Sequence, residues 1–162
     1  MKTIAEQYFH VQESEKQRIF IEDGLDFIKK AAEEDIKYDA ILVDACINER
    51  GPILCPPPSF LKDQHISDFS KCLTEKGVLI VNIITPKENK DEADKILKKF
   101  EKHFKFCALI PSGTYDRMLF CFNYEHPWSQ DADLIEQHIL EADRQTGFHL
   151  RDGGNYVFEN KE

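Results

Sequence analysis

The amino-acid sequence predicts an α/β fold with a mostly parallel sheet that ends in an antiparallel hairpin. Residues 40–43 and 78–84 are two nearly continuous apolar runs, typical of parallel strands covered by helices. Amphipathic helical patterns separate these runs, so strands and helices alternate along the chain. Two later strands, 106–110 and 117–124, are joined by residues 111–116 alone, which are too few for a parallel crossover. These last two strands must therefore run antiparallel.

The N-terminal part of the chain is predicted to form two helices and one short strand. Residues 1–11 carry apolar side chains at helical spacing. Residues 18–22 are predicted to form a short strand, and Asp23 is a suitable N-cap for the helix that follows. The inward-facing stripe of that second helix comprises Leu25, Ile28 and Ala32.

The segment 38–44 is the strand around which the other elements are arranged. Its apolar run ends abruptly at Asp44, and open α/β sheets bind their ligands at the carboxyl ends of strands. One interpretation makes Asp44 a ligand-facing or catalytic carboxylate. The other makes it a structural residue that caps the following turn, and the residues alone leave both open.

The middle of the chain continues the alternation. Prolines keep the loop after Asp44 out of helical geometry. Ser59 is predicted to cap a helix that runs to about Leu73, with Gly77 just past its end. The strand 78–84 follows, and then a strongly amphipathic helix over residues 87–103.

The C-terminal part differs from the rest in composition. Residues 125–162 are more polar, with a predicted helix at 130–144 and an extended piece at 153–158. We therefore expect a main α/β domain over residues 1–124, with 125–162 packed on it as an extension.

Charge and hydropathy exclude two classes of function. The 162 residues include 30 acidic and 21 basic side chains, a net charge of −9, which disfavours binding to nucleic-acid phosphates. No apolar run approaches the length of a membrane span, and no signal peptide is visible. We therefore expect neither a nucleic-acid nor a membrane partner.

The five cysteines are odd in number and scattered along the chain. Cys46, Cys55 and His65 lack the C-x-x-C spacing of a zinc site, so no metal is expected. Cys107 and Cys121 lie in apolar strands, where a free cysteine behaves as a small hydrophobic residue. This pattern predicts free thiols in a reducing, cytoplasmic compartment.

Several local sequences resemble one enzyme family. Residues 22–27 contain a "DG-x-x-F" segment, 38–44 a "YD-x-I-x-x-D" strand and 73–78 an "L-x-x-x-G-V" segment. In this order they resemble the spermidine-synthase-like branch of class I S-adenosylmethionine-dependent methyltransferases. Residues 55–60 and 119–122 are similar to the C-terminal half of the methyltransferase-like protein 13 family. The resemblance covers about residues 4–124 and implies a Rossmann-like sheet.

The resemblance also implies roles for three residues. Asp23 would approach the adenine of S-adenosylmethionine, and Gly24 would allow that close approach. Asp44 would line the reaction pocket near the sulfonium end of this cofactor, where a carboxylate can attract an amine substrate and accept a proton from it. Aminopropyltransferases of this branch usually carry a second Asp three residues later, where this chain has Ile47. Methyl transfer is therefore the preferred reaction.

One feature of the family is missing from the sequence. There is no Gly-x-Gly motif for the cofactor, and Gly24 is the only glycine before residue 51. The chain resembles the family without its first two strands. The strands 38–44, 78–84, 117–124 and 106–110 should then pair in that order, which leaves 38–44 at an exposed edge of the sheet. We expect poor cofactor binding and marginal stability unless a partner closes this edge.

Three functions follow from the resemblance. The first is the C-terminal portion of an S-adenosylmethionine-dependent methyltransferase that acts on an amine, with a protein as the expected substrate. The second is a non-catalytic protein that keeps the scaffold for contacts, as a homodimer or with a different partner. The third is an aminopropyltransferase of the spermidine synthase type.

Overall fold

The computed structural model describes residues 2–89, 91–112, 115–125 and 132–147. The described part contains five α-helices, four strands and two short 3-10 helices, Pro58–Leu61 and Lys87–Asn89. In chain order the longer elements are α1 (Lys2–Phe9), α2 (Gly24–Glu33), β1 (Tyr38–Val43), α3 (Asp63–Lys71), β2 (Leu73–Ile84), α4 (Glu92–Phe100), β3 (Phe106–Pro111), β4 (Asp116–Phe122) and α5 (Ala132–Thr146).

The four strands form one sheet in the order β1-β2-β4-β3. β1 and β2 are parallel, whereas β4 is antiparallel to both of its neighbours. Three of the four strands therefore run in the same direction, and β4 is the reversed strand of the hairpin. The predicted fold class, the antiparallel pairing and the order of the strands are confirmed.

The hydrophobic core lies between one face of the sheet and the helices. In β2, Leu79, Val81 and Ile83 are buried, and the alternate residues are only half-buried. Helix α4 buries Ala93, Ile96 and Phe100 and packs against β3 and β4. Helix α2 buries its inward side chains and packs against α3. The predicted amphipathic helices thus supply one side of the core.

The sheet edge at β1 is exposed, as the sequence predicted. Within the described residues β1 pairs only with β2, and its Leu42 side chain is 71% exposed. The strand predicted at 18–22 is wrong, because this segment has no neighbouring strand with which to form a ladder among the described residues. Its Phe20 and Ile21 are 59% and 80% exposed.

Helix α3 begins later than predicted. Ser59 lies in the 3-10 helix, and Lys62 then adopts an extended conformation with φ −76° and ψ 137°. This extended residue separates the 3-10 helix from α3, which begins at Asp63 without a side-chain cap. The predicted capping role of Ser59 is therefore wrong.

Gly77 was expected to end a helix, but it lies inside β2. A Cβ atom at this position would lie 2.9 Å from the Tyr38 carbonyl oxygen and 3.1 Å from the Thr74 backbone nitrogen. Both contacts involve backbone atoms, which cannot move aside as a flexible side chain can. Glycine therefore allows β1 and β2 to approach each other here.

Gly77→Ala is expected to lower the free energy of unfolding by about 1–3 kcal/mol, because the added methyl group overpacks this backbone contact. Urea unfolding followed by circular dichroism measures the change. Gly24→Ala is the matched control, because a Cβ there meets no atom within 4 Å. Equal losses for the two variants would contradict the proposed close contact at Gly77.

The cysteines are the largest departure from the sequence prediction. Cys46 is bonded to Cys55 and Cys107 to Cys121, with Cα atoms 4.3 Å and 4.2 Å apart, and Cys72 is free and buried. The prediction of small hydrophobic free thiols at Cys107 and Cys121 is wrong. These two residues are direct register partners in β3 and β4, a proximity that sequence spacing alone does not reveal.

The C-terminal prediction is confirmed in part. Helix α5 occupies the region where a helix was expected at 130–144, whereas the extended piece predicted at 153–158 lies outside the described residues. The boundary between 124 and 125 stays a prediction. None of the helices in the described segments combines the length and apolar character needed to cross a membrane.

Candidate functional site

An open groove of about 440 Å³ runs along β1. Helix α2 forms one wall, and the 3-10 helix with α3 contributes the aromatic rings of Phe60 and Phe69. The groove is within the usual size range of small-molecule sites. Its lining comprises Gly24, Phe27, Ile28, Tyr38, Ala40, Ile41, Leu42, Val43, Asp44, Ala45, Phe60 and Phe69.

Asp44 lies where β1 ends, with its side chain exposed in the groove. Its Oδ1 atom accepts a hydrogen bond of 2.9 Å from Nδ2 of Asn82. Asn82 is on β2, and the parallel register that pairs Val43 with Val81 brings the two side chains together. This bond fixes the direction of one carboxylate oxygen and leaves the other oxygen for a ligand.

Asp23 and Gly24 lie at the N-terminus of α2. Asp23 is the N-cap, and its Oδ1 atom accepts the Leu25 N–H at 2.8 Å, so the predicted capping role is confirmed. Gly24 lines the groove, whereas Asp23 is not among the lining residues. The structure therefore brings Gly24 and Asp44 to one groove. Asp23 precedes Gly24 in the sequence but does not line the groove.

Aromatic side chains give the groove its chemical character. The ring centroids of Phe27 and Tyr38 are 6.4 Å apart, and those of Phe60 and Phe69 are 6.3 Å apart and stacked. Burial, and then the neighbouring Cys72 and Glu34, raises the pKa of the Tyr38 phenol, which therefore stays neutral. A groove with such walls suits a flat, uncharged ring.

Sequence reasoning did not identify Asn82 or the aromatic walls. A signal for Asn82 exists, because it is the one polar residue in the apolar run 78–84. The aromatic residues lie on four different elements, so no local pattern connects them.

The loop after Asp44 is attached to the end of β2. The N–H groups of Leu54 and Cys55 donate to the Ile84 carbonyl at 2.9 and 3.3 Å, and Ile84 N–H donates to the Cys55 carbonyl at 3.0 Å. The Cys46–Cys55 disulfide closes the loop. In the described part of the chain no group of three or more His, Cys, Asp or Glu side chains is arranged to hold a metal ion.

Residues 1–130 match the model of the spermine/spermidine synthase domain family. The chain belongs to this family. This match agrees with the spermidine-synthase-like resemblance that the local motifs indicated. The strand end that carries Asp44 and the helix N-terminus that carries Gly24 both fall within the matched residues.

Proteins similar to this chain in sequence include methyltransferases. The chain is 36% identical over 160 residues to the eEF1A lysine and N-terminal methyltransferase of Bos taurus, covering 95% of this chain and 22% of that protein. The Drosophila melanogaster homolog of that enzyme is 30% identical over 154 residues, covering 90% and 22%. The chain thus spans about a fifth of the length of these relatives.

Two further comparisons concern the fold and a second activity. The crystal structure of human methyltransferase-like protein 13 in complex with SAH superposes with a TM-score of 0.74 at 25% identity, covering 98% of this chain and 70% of that one. A polyamine aminopropyltransferase of Vibrio vulnificus is 31% identical over 117 residues, covering 72% of this chain and 37% of that protein. The class I methyltransferase fold that the sequence predicted is confirmed.

Proposed function

We propose that this chain supplies one wall of the active site of an S-adenosylmethionine-dependent methyltransferase that acts on an amine of a protein. The observation that carries this proposal is the meeting of Gly24, four aromatic rings and the Asp44 carboxylate in one groove along β1, with Asp44 where the strand ends. The similarity to eEF1A lysine and N-terminal methyltransferases supports a protein amine as the substrate, with eEF1A as the first candidate to test.

The residues of the groove fit this cofactor. The aromatic walls match the adenine ring, and the lack of a side chain at Gly24 leaves room beside it. S-adenosylmethionine, when bound, supplies a methyl group activated by a positively charged sulfur. Asp44, oriented by Asn82, would attract the positive charge of the cofactor or of an amine and would accept a proton released from the amine.

Aminopropyl transfer is a second candidate, because the family match and the Vibrio vulnificus relative both include that activity in their names. The residue three positions after Asp44 is Ile47, whose backbone N–H donates to the Leu54 carbonyl and whose side chain offers no second carboxylate. Methyl transfer is therefore the better supported reaction. Incubation with putrescine and decarboxylated S-adenosylmethionine would show spermidine only if the second candidate is correct.

Cofactor binding by the purified chain tests the proposal. S-adenosylhomocysteine (SAH) is expected to shift the backbone amide resonances of Gly24 and Asp44, with a dissociation constant of about 0.1–1 mM. The affinity is expected to be this weak because the sequence has no Gly-x-Gly motif. Gly24→Leu should weaken binding by about five-fold, because its side chain occupies part of the groove.

Lys29→Leu is the matched control, since Lys29 is on the same helix with a 60% exposed side chain and does not line the groove. This variant is expected to bind SAH as the unmodified chain does. Unchanged groove resonances at millimolar SAH would contradict the proposed function. A dissociation constant below about 1 µM would instead contradict the expected weak binding and leave the groove assignment in place.

A further inference from the structure

The two disulfides differ in their access to solvent. Cys46 is exposed while its partner Cys55 is 1% exposed. In the second pair Cys107 is half-buried and Cys121 is fully buried. Because thiol–disulfide exchange requires a thiolate to reach one sulfur atom, the Cys46–Cys55 bond is the more accessible of the two.

The two disulfides also differ in what else holds their ends together. The strand pairs Phe106–Phe122 and Ala108–Phe120 lie on either side of Cys107–Cys121, so β3 and β4 stay paired without it. Within the described structure, residues 45–53 make one backbone hydrogen bond across their loop, 2.9 Å from Ile47 N–H to the Leu54 carbonyl. The Cys46–Cys55 bond is therefore the main connection between the two sides of this loop.

We propose that the Cys46–Cys55 disulfide is a thiol-exchange site that controls the order of the loop following Asp44. A dithiol reductant is the class of molecule that it would take. Cys55 stays attached to β2 through its backbone bonds with Ile84, whereas Cys46 is only two residues from Asp44. Opening the disulfide therefore releases the side of the loop next to Asp44 and Ala45. Both of these residues line the groove.

The exchange balances as a two-electron reduction. A thiolate of the dithiol attacks the Cys46 sulfur, the S–S bond breaks, and Cys55 leaves as a thiolate that takes up a proton. The second thiol of the reductant then displaces Cys46 from the mixed disulfide. The products are two protein thiols and a cyclic disulfide of the reductant.

The test measures the rate at which each cysteine becomes available for alkylation and the hydrogen exchange of backbone amides in the full chain. It therefore does not depend on cofactor binding or on the proposed function. The protein is treated with limiting dithiothreitol, alkylated, and mapped by mass spectrometry. Cys46 and Cys55 are expected to be labelled about ten-fold faster than Cys107 and Cys121. Hydrogen exchange of residues 45–54 should rise on reduction. Cys72 is an internal reference for intact folding because its side chain is fully buried.

Two alanine variants distinguish the effect of the Cys46–Cys55 disulfide on the loop from that of the Cys107–Cys121 disulfide. Cys46→Ala should show the fast exchange of residues 45–54 without any reductant. Cys107→Ala should keep slow exchange there until dithiothreitol is added. Earlier labelling of Cys107 and Cys121, or equal exchange of residues 45–54 before and after reduction, would overturn the proposal.

Discussion

Phe100→Ala is expected to lower the free energy of unfolding by about 3–5 kcal/mol. Phe100 is 1% exposed and stacks on Phe104 at a centroid distance of 6.3 Å, so its removal leaves a cavity where α4 packs on the sheet. Helix α4 packs mainly against the β3–β4 hairpin, so loss of this contact weakens the packing of that hairpin. Since small domains are stable by only about 5–15 kcal/mol, the loss is a large share of the total.

Phe9→Ala is the matched control for this prediction, because it removes the same side chain from a position that is 74% exposed. Its expected effect on the free energy of unfolding is within about 0.5 kcal/mol. Urea unfolding monitored by circular dichroism measures both variants. A loss of less than about 1 kcal/mol for Phe100→Ala would contradict the packing of Phe100 between α4 and the sheet.

The strands and the β3–β4 hairpin could be predicted because their signals are local in the sequence, whereas the order of the strands followed from the family resemblance. Residues 78–84 are apolar at almost every position, and the short connection 111–116 forces an antiparallel hairpin. Asp23 was predictable as a cap for a similar reason, since an aspartate before an apolar helical stripe accepts the backbone N–H groups of the first turn. For the hairpin and the cap, the decisive signal lies within a few residues.

The errors concern interactions between distant parts of the chain. Residues 18–22 have a strand-like composition, but a strand requires a neighbour, and none lies beside them in the described structure. Gly77 resembles a helix-ending glycine, yet its role depends on the Tyr38 carbonyl, 39 positions away in the sequence (77 minus 38). The disulfide between Cys107 and Cys121 likewise depends on strand register.

The candidate site was predictable only where strand ends and family motifs indicated it. Asp44 follows an apolar run and Gly24 follows a capping aspartate, so both stand out in the sequence. The Asn82 amide reaches Asp44 through the parallel register of β1 and β2, which only the folded sheet establishes. The roles of Asp23, Gly24 and Asp44 toward a cofactor stay predictions.

Under the proposed function, Asp44→Asn is expected to remove a preference of the groove for S-adenosylmethionine over S-adenosylhomocysteine. S-adenosylmethionine carries a sulfonium charge that S-adenosylhomocysteine lacks, and the two molecules are otherwise nearly identical. If the Asp44 carboxylate lies near that charge, the ratio of the two affinities should fall by about ten-fold when the carboxylate becomes an amide. Asparagine keeps the shape and can still accept the hydrogen bond from Asn82, so the loop after β1 should remain in place.

Asp39→Asn is the matched control because it makes the same change at an aspartate within β1, the strand that Asp44 directly follows. Asp39 is exposed and, like Asp44, accepts one side-chain hydrogen bond, here 3.1 Å from Thr74 Oγ1. It lies about 17 Å from Asp44 along the strand, at a rise of about 3.3 Å per residue. A charge at that distance is screened at 0.15 M salt, so the affinity ratio should not change. If Asp39→Asn and Asp44→Asn lower the ratio equally, the effect comes from net charge and Asp44 does not face the sulfonium.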